Sequence, residues 1–402
     1  MTKQKIILWL IAASLSFAIS SEQGFSKIFI PLGVVTCFAL FHYYFRLKYI
    51  EYIFFFLISI ASLFGLTQTL TGSHAESSNV FLFGLSFYTA SISYLIAIKS
   101  FNFSKILNVS NPLLLMTGPI ALYVQSISYK KIKHRIKYYL PFIIIGSFMF
   151  QVVGTPLTQF FFLLEKTDII SSIVFASIFE IFVYMNFCGL SLMIYGLFGL
   201  LGYRIPLNFK QPFSSDNMIE FWRGWHISLS QVLKVLFYTR LRGTFSLFIA
   251  LMGTYLSSAM WHGVTLNFLI WGSFHAIFLW LTIKLIRSGN NFFPLLMMPV
   301  IIVVGRLIFA DSDTERLLQK LLFNFDGFEG ISLLLTAPIY SKISLMLGFL
   351  IIFIEFAFRK TKVMQKRNYK YLRSPFMLCI LTVIGCLFVS NVGVDYAVYG
   401  QR

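Results

Sequence analysis

Between Arg242 and Lys284 the chain carries no Lys, Arg, Asp or Glu. That gap is about twice the ~20 residues a helix needs to cross a bilayer. Further apolar runs occupy 5–20, 27–46, 52–70, 79–98, 139–163, 169–203, 292–310, 343–358 and 375–390. Hydrocarbon offers backbone N–H and C=O groups no partner, so only helices or a closed barrel can cross it. A barrel requires alternating segments of about ten residues, and the sequence has none. Composition agrees: 57% of the 402 residues are hydrophobic and 12% charged, against about 25% charged in a soluble domain. The sequence predicts an all-α, polytopic helical membrane protein with roughly ten or eleven spans, forming a single domain over residues 1–402.

The net charge of +18 would suggest nucleic acid in a soluble protein. Here the basic clusters at 46–48, 130–137 and 359–373 fall between apolar runs. That is the positive-inside pattern, so these loops are expected in the cytoplasm and no nucleic-acid partner is implied. The last cluster, RKTKVMQKRNYKYLR, offers anionic membrane lipid a basic face. The N-terminal MTKQKIILWLIAASLSFAIS has signal-peptide features but reads as an uncleaved first span. The segment 111–127, interrupted by Pro112, Gly118 and Pro119, reads as re-entrant or broken. Run 169–203 is either a span with an interfacial piece or a span bent at Gly189. Cys37, Cys188, Cys379 and Cys386 lie scattered in apolar runs, which predicts packed thiols without disulfides or a cysteine metal site.

Residues 217–242, NMIEFWRGWHISLSQVLKVLFYTRLR, differ from the spans. Met218, Trp222, Trp225, Leu229, Val232 and Leu236 form one apolar stripe at helical spacing, and Arg223, His226, Ser230 and Lys234 form another face. This predicts an amphipathic helix, with Asn217 and Glu220 spaced as a capping box. Two readings fit: a helix lying in the membrane plane, or one whose Arg223 and His226 line a polar funnel.

The stretch 257–276, SSAMWHGVTLNFLIWGSFHA, places His262, Asn267 and His275 inside apolar sequence. Ionisable groups at membrane depth are costly and point to function. Each histidine alone reads first as a packed residue bonded to a neighbouring helix. Two in adjacent spans, with His226 in the next helix, favour chemistry. Their spacing lacks a short metal-ligand pattern, although axial ligation of a haem is a second reading. A neutral imidazole shielded from water can instead take the proton of an attacking hydroxyl. No GxSxG motif occurs, and no acidic residue lies in 243–283 to orient a triad, which favours direct transfer over an acyl-serine. Glu180 reads as either a proton relay or a packed acid. Glu355 and Arg359, four apart, read as a snorkelling helix-end pair.

Several strings, in order, resemble the membrane-bound O-acyltransferase family in its bacterial alginate O-acetyltransferase and teichoic acid D-alanyl transfer branch. IEFWRGWHISLS (219–230) is similar to that branch's FWRRWHISLS block, MWHG (260–263) to LWHG, and LIWGSFHA (269–276) to LWGxxHG. GLSFYTASISYL (84–95), NPLLLMTGPI (111–120) and YMNFCGLSLMIYGLFGLLGYRIPLNFKQPF (184–213) also resemble family blocks, so the likeness covers about residues 80–285.

The resemblance implies re-entrant and interfacial helices around a central tunnel in the bacterial inner membrane. It implies transfer of an acyl group, acetyl first among them, from a thioester to a hydroxyl of an envelope or exported polysaccharide. The donor would be acetyl-CoA or an acyl carrier protein on the cytoplasmic side, with no tightly bound cofactor and no metal. His262 matches the catalytic histidine, His275 the branch's second histidine and His226 that of the FWRRWH block. Trp222, Arg223, Trp225, His226 and Trp261 are expected to bind substrate. A separate periplasmic esterase-like partner completes transfer in such systems.

The chain departs from the pattern as well. Asn186 and Leu192 stand where the DFSGYSD block has aspartates, and Cys188 and Leu190 where it has serine and tyrosine. The alternative from another class is a non-catalytic transporter or scaffold for envelope polysaccharide or lipid.

Overall fold

The computed structural model describes residues 35–42, 45, 47–63, 75–100, 131–322, 329–366 and 369–389, with shorter pieces between 102 and 127. The run 5–20 and most of 111–120 lie outside the described residues, as do the ends of several loops. The chain is a multi-pass membrane protein. Among the described residues five helices are long and apolar enough to cross a bilayer, and three shorter apolar helices join them.

The first helices are α1 (Ile50–Leu63) and α2 (Ala75–Ala97). Residues 122–127 then run without helix into β1 (Gln125–Ser126), which pairs antiparallel with β2 (Tyr203–Arg204). Between the strands stand two long helices, α3 (Ile132–Glu165) and α4 (Ile169–Leu200). Asp168 starts α4 by accepting from the Ser171 amide at 2.8 Å. The two backbones touch: a Cβ on Gly146 would lie 2.5 Å from the Gly189 carbonyl oxygen. Without hydrophobic drive between helices in lipid, such small-residue contact is what packs them. Both helices loosen into π turns, at Phe148–Gly154 and Tyr184–Cys188, and Gly154 meets Asn186 there. Within the run 169–203 residues Ile169–Leu200 are therefore one helix, continuous through Gly189, and the chain turns into β2 after it.

The expected single helix over 217–242 is broken. It forms α5 (Met218–Gly224), α6 (Ile227–Leu233), a π turn at Lys234–Tyr238, and α7 (Thr239–Thr244). The remaining elements are α8 (Leu247–His262), α9 (Leu266–Arg287), α10 (Phe292–Ala310), α11 (Thr314–Leu321), α12 (Glu329–Thr336), α13 (Ile339–Ala357), α14 (Lys362–Gln365) and α15 (Pro375–Val389). Helices α8 and α9 pack closely, because a Cβ on Gly272 would sit 2.8 Å from the Tyr255 carbonyl oxygen.

Two basic clusters meet at one end of the bundle. The Arg373 guanidinium lies over the rings of Tyr138 and Phe142, and Arg359 pairs with Asp216 at 2.6 Å. The expected Glu355–Arg359 pair does not form. Helix α13 ends at Ala357, so Arg359 lies beyond the last turn and swings to Asp216, while Glu355 is fully buried. Its Oε1 accepts from the hydroxyls of Tyr184 (2.9 Å) and Tyr371 (3.2 Å), and Tyr369 links Tyr184 to the Cys188 thiol. Cys188 is thus packed as expected. Cys37, Cys379 and Cys386 are instead exposed, since an apolar run that faces lipid leaves its small side chains on the outer surface.

Candidate active site

The site begins with the break between α5 and α6. Asn217 Oδ1 accepts from the amides of Ile219 (3.0 Å) and Glu220 (3.1 Å), which starts α5. After Gly224 the chain extends at Trp225, and His226 enters the left-handed region at φ 40°. A non-glycine residue there costs of order 1–3 kcal/mol and persists only when its surroundings impose it. The segment 208–210 imposes it. The Lys210 amide donates to the Gly224 carbonyl (2.9 Å), and the Ile227 amide to the Asn208 carbonyl (2.8 Å). Asn208 Oδ1 also accepts from the Ser228 hydroxyl at 2.8 Å.

His226 itself caps α6. Its Nδ1 accepts from the Leu229 amide (3.4 Å), which places the proton of the neutral ring on Nε2. Burial, with His262 nearby, pushes its pKa down to about 3, so it stays neutral near pH 7. The rings of Phe87, Phe187 and Trp261 surround it.

Beside this break lies a cavity of ≈ 650 Å³. Trp222, Arg223, Trp225 and His226 line it from α5 and the break, and Thr254, Ser258 and His262 from α8. Trp271 on α9 and Arg306 and Phe309 on α10 complete the wall around His262. Arg223 and Lys234 are exposed where they line the cavity, so it opens beside two cations. The N-terminus of α8 follows Arg240 and Arg242. At 1.5 Å per residue its 16 residues carry His262 about 24 Å from that basic end.

His262 ends α8, and the Ser59 hydroxyl donates to the preceding Met260 carbonyl at 2.5 Å. Gly263 follows because the Phe268 ring covers it, at 2.7 Å from where a Cβ would stand. The His262 ring contacts Trp261, Trp271 and Phe309 at centroid distances of 5.0, 5.7 and 5.1 Å. His275 lies one layer behind: Trp271 touches it too, at 5.0 Å, with Trp222 at 5.2 Å on another side. Its Nε2 faces Gly305, where a Cβ would come within 2.3 Å, and its buried Nδ1 has no hydrogen-bond partner. The buried indole N–H groups of Trp222 and Trp261 likewise lack one. Among the described residues no group of three or more His, Cys, Asp or Glu is arranged to hold a metal ion.

Of the residues expected at the site, His262, His226, Trp222, Arg223 and Trp225 share the cavity wall. Trp261 and His275 stand behind it: Trp261 packs between His226 and His262, and His275 behind Trp271 and Trp222. Sequence reading passed over Arg306, whose signal was a lone arginine within the run 292–310. Its Nε donates to Glu180 Oε2, and its guanidinium lies 5.4 Å over the rings of Trp225 and Phe309. Glu180 is thus buried beside Arg306, a partner from a distant helix that the sequence did not reveal. Asn267 donates to the Phe309 carbonyl at 3.2 Å, tying α9 to the end of α10.

A model of the membrane-bound O-acyltransferase family matches residues 38–310. Among relatives, a probable alginate O-acetylase of Pseudomonas putida is 42% identical over 25% of this chain and 21% of its own length. A peptidoglycan O-acetyltransferase of Helicobacter pylori is 25% identical over 51% of this chain and 44% of its own. A teichoic acid D-alanyltransferase of Bacillus subtilis is 26% identical over 34% of this chain and 38% of its own. The chain thus spans from about a fifth to under half of the length of these relatives.

Proposed function

The chain belongs to the membrane-bound O-acyltransferase family, and from that membership and the cavity geometry we propose that it transfers an acyl group, acetyl first among them, from a thioester to a hydroxyl of a cell-envelope or exported polysaccharide in a bacterial inner membrane. The observation that carries this reading is that His262 and the exposed cations Arg223 and Lys234 line one cavity. Two exposed cations attract an anionic donor such as acetyl-CoA or the phosphopantetheine of an acyl carrier protein. The deep end is lined by indoles and phenyl rings, which shield the reacting atoms from water.

In this reading His262 is the general base. A proton from the acceptor hydroxyl passes to its imidazole as the oxygen attacks the acyl carbon. His226, neutral and fixed by its own cap, shapes the wall beside it. His275 positions Trp271 and Trp222 from behind, and Trp261 holds His226 and His262 apart.

The test uses the purified protein in proteoliposomes with [14C]acetyl-CoA and either mannuronate oligomers or peptidoglycan glycan strands. Label in base-labile ester on a glycan is the expected result. Label that crosses the bilayer of proteoliposomes without forming ester would replace the enzyme with a transporter.

A further inference from the structure

Arg306 sits within an apolar helix, where a charge is tolerated only with a partner or a polar cavity. It has both. Glu180 on α4 takes its Nε, and the guanidinium lines the same wall as His262. Two aromatic faces hold it: the Trp225 and Phe309 rings each lie 5.4 Å from its central carbon. Phe309 also touches the His262 ring, so the cation and the imidazole share one aromatic neighbour. Gly305, the residue before it, is pressed against His275. The cation is therefore placed by four elements, α4, the α5–α6 break, α9 and α10.

We infer that Arg306 is a catalytic residue, the cation that stabilises the oxyanion formed at the acyl carbonyl beside His262; the inference rests on the acyl-transfer reading above. As the acceptor oxygen bonds to the acyl carbon, its proton moves to His262 and the C=O π pair moves onto the carbonyl oxygen. That oxyanion is paired by Arg306. Collapse re-forms C=O and breaks the C–S bond, and the leaving thiolate takes the proton back from His262. Atoms and charge balance with acyl thioester and alcohol as the sole reactants.

The geometry suits this task. A neutral imidazole supplies no positive charge until it has taken the proton, and the cavity's other cations, Arg223 and Lys234, stand at the mouth. The contact with Glu180 lowers the cost of holding the guanidinium there before substrate arrives. Preorganised charge of this kind, on a cavity wall lined by aromatic rings, is worth about 10²–10³ in rate per donor group. A pair that served only to join α4 to α10 would have no reason to place its cation on the cavity wall.

The experiment separates these roles with the charge-free double variant Glu180→Met/Arg306→Met, which removes both partners and leaves no buried charge alone. It is assayed with [14C]acetyl-CoA and mannuronate oligomers beside the wild type. The expected result is a protein that elutes and melts like the wild type, with kcat lower by about 10²–10³-fold and an unchanged KM for acetyl-CoA. Arg306→Lys, which keeps the charge and the pair, is expected to fold and to retain at least tenfold more kcat than the double variant. It supplies the answer if the double variant does not fold: its loss should then lie in kcat, with KM unchanged. Wild-type turnover in the double variant, or a loss in Arg306→Lys confined to KM, would overturn the assignment. No transfer by the wild type would overturn acyl transfer itself, and this assignment with it.

Discussion

Gly305 is the residue on which the placement of the second histidine depends. Its missing side chain is filled by His275 Nε2, 2.3 Å from where a Cβ would stand. Gly305→Ala is expected to push His275 against Trp271 and Trp222, and through them to disturb the cavity wall. A displacement of about 1 Å in such a site costs on the order of 10²-fold in rate. The measurement is kcat beside a melting curve. Normal turnover in a protein that melts normally would reduce His275 to packing. At this scale the sequence was most informative for histidines and tryptophans, because a polar or amphipathic group in a charge-free run stands out. It was least informative for Gly305 and Arg306. A glycine among apolar residues is ordinary, and the arginine was hidden by the hydropathy of its helix. Glu180, visible from the start, had a partner too distant in the chain for spacing to reveal.

The α5–α6 break is where local pattern and tertiary structure disagree. The residues from 217 to 242 satisfy a continuous helical stripe, and Met218, Trp225, Leu229, Val232 and Leu236 are indeed buried. Periodicity nevertheless failed to find the interruption at His226, because Asn208 and Lys210 impose it from outside the segment. Asn208→Ala removes the acceptor of the Ser228 hydroxyl and amide, and a buried hydrogen-bonding group left unmatched costs about 1–3 kcal/mol. The expected outcome is a lower melting temperature together with reduced transfer, as His226 leaves its left-handed conformation. A variant that loses stability but keeps full kcat would show that the break matters only to folding.

The end of α10 gives a test with a definite sign in pH. Asp311 is buried, which opposes its ionisation, but hydrogen bonds from Arg316 (2.8 Å) and Lys320 (2.7 Å) prevail and hold its carboxyl below the usual value of 3.8. A carboxyl lowered on folding binds protons more readily in the unfolded chain. Its contribution is therefore complete above pH 3.8 and is lost as pH falls through the lowered folded value. Asp311→Asn leaves Lys320 buried without its anion and should cost about 3–5 kcal/mol near neutrality. The wild-type advantage over this variant, read from melting curves, is expected to shrink below pH 3.8 and to be flat above it. An advantage that grew on acidification would contradict the assignment.

At the scale of the whole molecule, hydropathy made the membrane class legible, because only helices satisfy their own backbone over such lengths. It could not show that α3 and α4 would be unbroken helices with π turns facing each other, since glycine contacts between helices leave no periodic trace. Nor could it show that Glu355, four residues from an arginine, would bond to tyrosines from α4 and from the segment after α14. The cavity follows from these larger contacts: α8 carries His262 deep, α10 brings Arg306 beside it, and the broken α5–α6 segment closes the wall between them.

The most direct measurement is transfer of [14C]acetyl from acetyl-CoA to mannuronate oligomers by His262→Gln, a variant close in size that cannot act as a base at this position. It should elute and melt as the wild type does, and lose at least ~10²-fold in kcat, the lower end of what a positioned base supplies. Undiminished kcat in such a folded variant would contradict the role of His262 and move the chemistry elsewhere in the molecule.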